Sequence, residues 1–273
     1  MSAPIRLLDT GPLSPRRNIA VGAALAELHL AGQSPDMLRL CTYPRSVLVG
    51  RHQRIAEVVR VRACRGRQIT VARRATDGGA VYLSPGMLGW ELIVEPHRFG
   101  NLPGEIAERI HGGIAAALAR FGLPARFRPL NDVAVGGRMV AGSFGLLHGP
   151  TLVVQGMILV DVDIAEMAAV LRAPGIPKQG AGAVLARRIT TLSEWLGRVP
   201  SLDEVRQLLI AGLAHAWGRE FTLDALLPAE LKLAGRLLRD RVGAESFADM
   251  PRDTDAVASM AAATAAAAGA RAS

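Results

Sequence analysis

Three stretches of this chain gather residue types from which a binding or catalytic site is built. Asn131-Asp132-Val133-Ala134-Val135-Gly136-Gly137-Arg138-Met139-Val140-Ala141-Gly142 reads as two short strands joined by a tight Gly-Gly turn. Asn131 and Asp132 place polar groups at the start of an apolar strand, where they orient a ligand or cap the strand end. Gly142, between Ala141 and Ser143, lets the backbone pass close to another group. In the second stretch, Arg74 precedes Asp77-Gly78-Gly79-Ala80. A guanidinium beside the backbone N–H groups of a glycine turn can cradle an anion, and the same residues also suit a plain hairpin turn with a surface arginine. The third is Lys178, within a Gly/Pro/Ala-rich segment over 173–188. Such loops often close over ligands, although a solvated lysine has the same appearance.

Nucleophilic and metal chemistry find less support. A cysteine nucleophile needs a thiolate in an exposed, electropositive setting. Cys41 lies in an apolar strand and reads as a buried structural thiol, whereas Cys64 has Arg62, Arg65 and Arg67 around it. His52, His97, His111, His148 and His215 are scattered, and no metal site is expected.

Composition narrows the class further. The chain has 273 residues, half of them hydrophobic and only 4% aromatic, so its core is aliphatic. The net charge is +8, nearly all from arginine, with Lys178 and Lys232 the only lysines. The arginines are scattered and not interleaved with aromatics, so no nucleic-acid partner is expected. No apolar run outside the Ala-rich tail is long enough for a membrane span, and none suits a signal peptide. With two cysteines lacking ligand spacing, this pattern predicts a cytoplasmic protein.

The elements that must position these residues follow from periodicity. Residues 1–16 read as a polar lead-in. Helices are predicted over 18–30 and 104–121, the latter ending at Gly122. Strands are predicted within 38–48, then over 69–73, 80–83 and 88–94, the 131–142 hairpin and 151–161. Shorter helices follow at 164–171 and 191–196. Ser201-Leu202-Asp203-Glu204 is a capping box opening a helix to about Trp217, and a further helix covers about 228–240. Mixed rather than alternating elements argue an α+β fold with a mostly antiparallel sheet flanked by helices. The expected organisation is a main domain over 1–198, a small helical C-terminal region over 199–250 and an Ala-rich disordered tail over 251–273.

Six segments in order resemble the lipoate–protein ligase, biotin protein ligase and octanoyltransferase superfamily, over roughly 17–245. They are the helix from Asn18; Pro44-Arg45-Ser46-Val47-Leu48-Val49-Gly50-Arg51-His52-Gln53; Arg73-Arg74-Ala75-Thr76-Asp77-Gly78-Gly79-Ala80-Val81-Tyr82; the 131–142 hairpin; Gln155-Gly156-Met157-Ile158-Leu159-Val160-Asp161-Val162-Asp163; and Lys178 with Arg188-Ile189-Thr190-Thr191-Leu192. The resemblance implies that superfamily's catalytic-domain fold. It also implies a ligand site of Arg74, Asp77, Gly78, Gly79, Ala80, Asn131, Asp132, Met139, Gly142, Gln155 and Gly156, with Arg51 and Lys178 as further candidates.

The departures fall on that site. The hairpin residue before the Val/Ile is a reactive lysine in the superfamily, and here it is Met139, so the resemblance assigns no catalytic residue. Arg138 should face the opposite way, because strand side chains alternate. Asp77 stands for the first glycine of a Gly-Gly-Gly turn, Leu83-Ser84 for His-Asp, and Gln155 and Met157 for His and Thr. Cys64 does not lie where the octanoyltransferase branches carry their nucleophile. The implied function is transfer of lipoate or octanoate, free or adenylated, to the lysine of an acidic lipoyl-carrier protein, with use of ATP and magnesium disfavoured by Met139. The alternatives are a non-catalytic acyl-binding protein or companion ligase subunit, and different chemistry on the same scaffold.

Overall fold

The computed structural model describes residues 4–172 and 179–242. Lys178 and the 251–273 tail lie outside them. The strands are β1 (Ile5–Pro12), β2 (Met37–Thr42), β3 (Ser46–Val49), β4 (Thr70–Arg73), β5 (Val81–Leu83), β6 (Met87–Val94), β7 (Arg126–Arg128), β8 (Asp132–Val135), β9 (Arg138–His148), β10 (Thr151–Leu159) and β11 (Phe221–Asp224). The helices are α1 (Pro15–Leu30), α2 (Ile55–Val58), α3 (Val61–Gly66), α4 (Pro103–Ala119), α5 (Ile164–Val170), α6 (Ala181–Ala186), α7 (Leu192–Leu196), α8 (Leu202–Trp217) and α9 (Pro228–Leu237).

Eight strands form the main sheet in the order β11-β1-β2-β6-β10-β9-β8-β7, and β4-β3-β5 form a small second sheet. The main sheet is antiparallel except where β1 pairs in parallel with β2 and β11. The predicted α+β class with a mostly antiparallel sheet therefore holds. The expected polar lead-in does not, because Ile5–Leu8 are a buried strand inside the sheet. β1 is completed by a strand more than two hundred residues away, and no local pattern announces such a partner.

Both faces of the central strands are covered, which is why β6 and β10 are almost continuously apolar. Leu88, Trp90, Leu92, Val154 and Ile158 pack on one side against Ile110, Ile114 and Leu118 of α4 and Val205, Leu209 and Leu213 of α8. Met157 and Leu159 point the other way, into a core shared with Ile19 of α1 and Val47, Val49, Tyr82 and Leu83 of the small sheet. The helical region expected beyond 199 shares these cores: α8 enters the first, β11 extends the main sheet, and α9 packs on α1. Among the described residues, no helix is long and apolar enough to cross a membrane.

His111 of α4 is buried against the sheet. Its Nδ1 lies 2.7 Å from the Ala107 carbonyl and its Nε2 2.6 Å from Ser143 Oγ, so the neutral ring donates to the carbonyl and accepts from the hydroxyl. Burial lowers its pKa, against small opposing effects of the Ala107 carbonyl and Asp132. The unfolded chain takes up this proton near pH 6.5, and the folded one only at lower pH. Stability from this group is thus complete above about pH 6.5 and falls as pH drops below it. Urea unfolding between pH 7.5 and 5.0 should show a loss that His111→Gln reduces. Equal losses in both proteins would refute this assignment.

Candidate functional site

The register of the main sheet sets two rows of side chains across its α1 face. Arg39, Glu91, Gln155 and Phe144 are successive cross-strand neighbours on β2, β6, β10 and β9. Cys41, Gly89, Met157, Gly142 and Asp132 form the next row, through β8. Two glycines in the second row keep the floor low. The small sheet supplies the roof, so Leu48, Val81 and Leu83 face Cys41, Tyr43, Met157 and Phe144 across a pocket that also touches Arg74, Glu91, Gln155 and Gly156. The remaining cavity is about 30 Å³.

The first row is a closed polar network at one wall. Arg39 and Glu91 are 1% and 2% exposed and pair at 2.8 Å. Arg39 also donates to the side chain and carbonyl of Asn18. Gln155 donates to Glu91 and accepts from Thr76 Oγ at 2.8 Å, and Thr76 in turn accepts from Arg74 Nε at 3.1 Å. Burial opposes the Arg39 charge, but Glu91, with Cys41 and Tyr43, more than offsets this, so its pKa is raised.

Arg74 organises the roof loop. Its guanidinium donates to the carbonyls of Leu48, Asp77 and Gly79 at 3.1, 2.8 and 2.8 Å. The charge predicted to face an anion therefore holds the loop in shape, with the Phe144 ring centroid 4.0 Å away covering one face. Burial pulls its pKa down to about 10, partly countered by Asp77. Gly78 has φ +98°, and a Cβ there would meet the Phe144 ring at 2.2 Å, so this turn needs glycine for conformation and for space. Asp77 is half exposed, with His52 Nε2 3.3 Å from its carboxylate. The Arg51 N–H donates to the Thr76 carbonyl, tying the 50–53 turn to the same loop.

The hairpin turns through Gly136 and Gly137 at φ +56° and +79°, as the Gly-Gly pair predicts. The β8–β9 register then shifts, because Ala134 opposes Met139 while Val133 opposes Ala141. This bulge at Val140 breaks the alternation. It brings Met139 to the same face as Gly142 and Phe144, so that a Cβ at Gly142 would lie 3.0 Å from Met139 Sδ and 3.5 Å from Asp132 Oδ1. Arg138 leaves the site to pair with Glu194, and Asp132 pairs with Arg128 at 2.7 Å. Met139 also bonds through its backbone to Arg188 and Thr190.

Of the residues singled out in the sequence, Arg74, Gln155 and Gly156 line the pocket, while Met139, Gly142 and Asp132 continue its floor. Gly78 and Gly79 close the roof loop, and Ala80 packs into the apolar core behind it. Asn131 is drawn elsewhere, its amide donating to the Ser143 carbonyl. Cys64 is buried and its pKa raised by that burial, contrary to an activated thiol. Cys41 lines the pocket, and burial raises its pKa too. Sequence reasoning missed Arg39, Glu91, Tyr43 and Phe144. A charged residue inside each of two otherwise apolar strands was the available signal for the first two. Among the described residues, no three His, Cys, Asp or Glu side chains gather as a cation site.

The family model of the lipoyl protein ligase A/B catalytic domain matches residues 14–214. The octanoyltransferase LipM of Symbiobacterium thermophilum is 31% identical over 269 residues, which cover 89% of this chain and 97% of that one. The lipoate-protein ligase A subunit 1 of Thermoplasma acidophilum is 26% identical, covering 90% of this chain and 96% of that one. Among solved structures, the bi-partite lipoate protein ligase of Thermoplasma acidophilum, described with its E2 lipoyl domain, superposes with a TM-score of 0.81. It is 23% identical and covers 92% of this chain and 99% of its own, a likeness of fold.

Proposed function

Because the chain belongs to the lipoyl protein ligase A/B catalytic-domain family, we propose that it binds an octanoyl or lipoyl group and serves its transfer to a carrier-protein lysine without adenylating that group itself. The observation that carries this reading is Met139 on the floor of an apolar slot, at the position where the resemblance expects a lysine. Leu48, Val81, Leu83 and Met157 offer an alkyl chain an apolar path, and we assign its anionic end to the backbone of the neighbouring 78–80 turn. Met139 brings no charge to where an acyl phosphate would form, and Asp77 opposes one. The substrate is then lipoate or octanoate, and the partner an acidic lipoyl-carrier domain attracted by a chain of net charge +8.

A companion subunit is favoured as a second partner by one relative, the Thermoplasma ligase, whose name makes it subunit 1. On this reading, the chain holds the acyl group while activation is completed elsewhere.

Each buried methylene contributes about 0.8 kcal/mol, so micromolar affinity for an eight-carbon chain is reachable without a nucleotide. Calorimetry on the unaltered protein should find octanoate and lipoate binding. Absence of both octanoate and lipoate binding would remove the acyl reading.

A further inference from the structure

Phe144 stands where the floor of the slot meets its roof. It ends the row Arg39–Glu91–Gln155 on the sheet, and its ring reaches up over Arg74 and against the α-carbon of Gly78. The polar members of that row are locked by one another's hydrogen bonds. Tyr43 at the far end is half-buried, but its hydroxyl is tied to Cys41, and its ring lies 3.3 Å from where a Cβ of Gly89 would be. Phe144 is likewise half-buried, and its ring is held by apolar contact and one cation–π contact rather than by hydrogen bonds. With the ring in place the cavity of about 30 Å³ admits a water or two, not an alkyl chain. A benzyl group carries about as many carbons as the alkyl part of an octanoyl chain. Moving the ring aside would therefore free about the volume that such a chain needs.

We propose that Phe144 is the specificity-determining residue of the acyl slot: its ring fills the slot in the free protein, must swing outward for an acyl chain to enter, and sets the length of chain accepted. This rests on the acyl-binding reading above. A ligand then exchanges one apolar occupant for another, so affinity for medium chains is lowered by the exposure of the ring, and chains too short to displace it do not compete. Removing the ring frees the slot and should raise octanoate affinity by about 10- to 100-fold.

The test is calorimetry of saturated fatty acids from butanoate to dodecanoate on the unaltered protein, Phe144→Ala and Phe144→Leu. The expected result is a gain in affinity largest for Ala, intermediate for Leu, and accompanied by a shift toward longer chains. If all three proteins bind with the same length profile, the acyl reading stands and the role of Phe144 falls. If none of them binds any chain, the acyl reading itself falls and takes this role with it. Should the variants fail to fold, 4-fluorophenylalanine at position 144 keeps the native packing. Its fluorine resonance should shift on saturation with octanoate, and an unmoved resonance at saturation would overturn the proposal.

Discussion

Replacing Met139 by lysine is expected to raise ATP-dependent acylation of a carrier-domain lysine by about two to three orders of magnitude, the size of effect seen when one charge-stabilising group is removed from such a site. The geometry favours the substitution. Met139 already lies on the site face because of the Val140 bulge, beside Gly142 and near Asp132. A lysine of similar length reaches the same space, with the Asp132 carboxylate within range to hold its ammonium. Asp77 remains as a repulsive charge, so Met139→Lys with Asp77→Gly should exceed the single variant. The assay is mass-spectrometric detection of lipoylated carrier with lipoate, ATP and magnesium. Robust turnover by the unaltered protein, unchanged in Met139→Lys, would show that position 139 does not limit the reaction.

Glu91→Ala is expected to cost about 3–5 kcal/mol of folding stability, the penalty for leaving a buried cation uncompensated. Arg39 is 1% exposed, and Glu91 is its one carboxylate partner among the described contacts. The amide of Gln155 loses its acceptor in the same step. The double variant Arg39→Met with Glu91→Leu removes both charges and should recover most of that loss, since buried pairs replaced by apolar residues of similar volume are often neutral or stabilising. Urea unfolding of the single and double variants measures the difference. A loss below about 1 kcal/mol for Glu91→Ala would mean that the pair is not closed to water.

The parts of this molecule that depend on local chemistry were legible in the sequence. Gly136-Gly137 announced the hairpin because both residues need positive φ, and α4 announced itself by its periodic apolar face. The ordered motifs placed the 74–80 loop, the hairpin and β10 around one concavity, and they meet there through Arg74, Phe144 and Gln155. What stayed hidden depends on partners far along the chain. The Arg39–Glu91 pair joins residues 52 apart, and β1 acquires its strand character from β2 and β11. The bulge at Val140 was invisible because strict alternation puts Met139 on the wrong face, and only pairing with β8 reveals the extra residue. Arg74 illustrates a different limit. Its motif draws attention to the roof loop, but the carbonyls that occupy its guanidinium belong to the backbone, where sequence carries no mark.

Native mass spectrometry of the unaltered protein, incubated with lipoate, ATP and magnesium, tests most directly the claim that this chain holds an acyl group without activating it. The expected spectrum contains the protein and a one-to-one adduct with the mass of lipoate, with no species at the mass of lipoyl-adenylate. An adenylate adduct would contradict the account, as would a spectrum in which no acyl adduct forms.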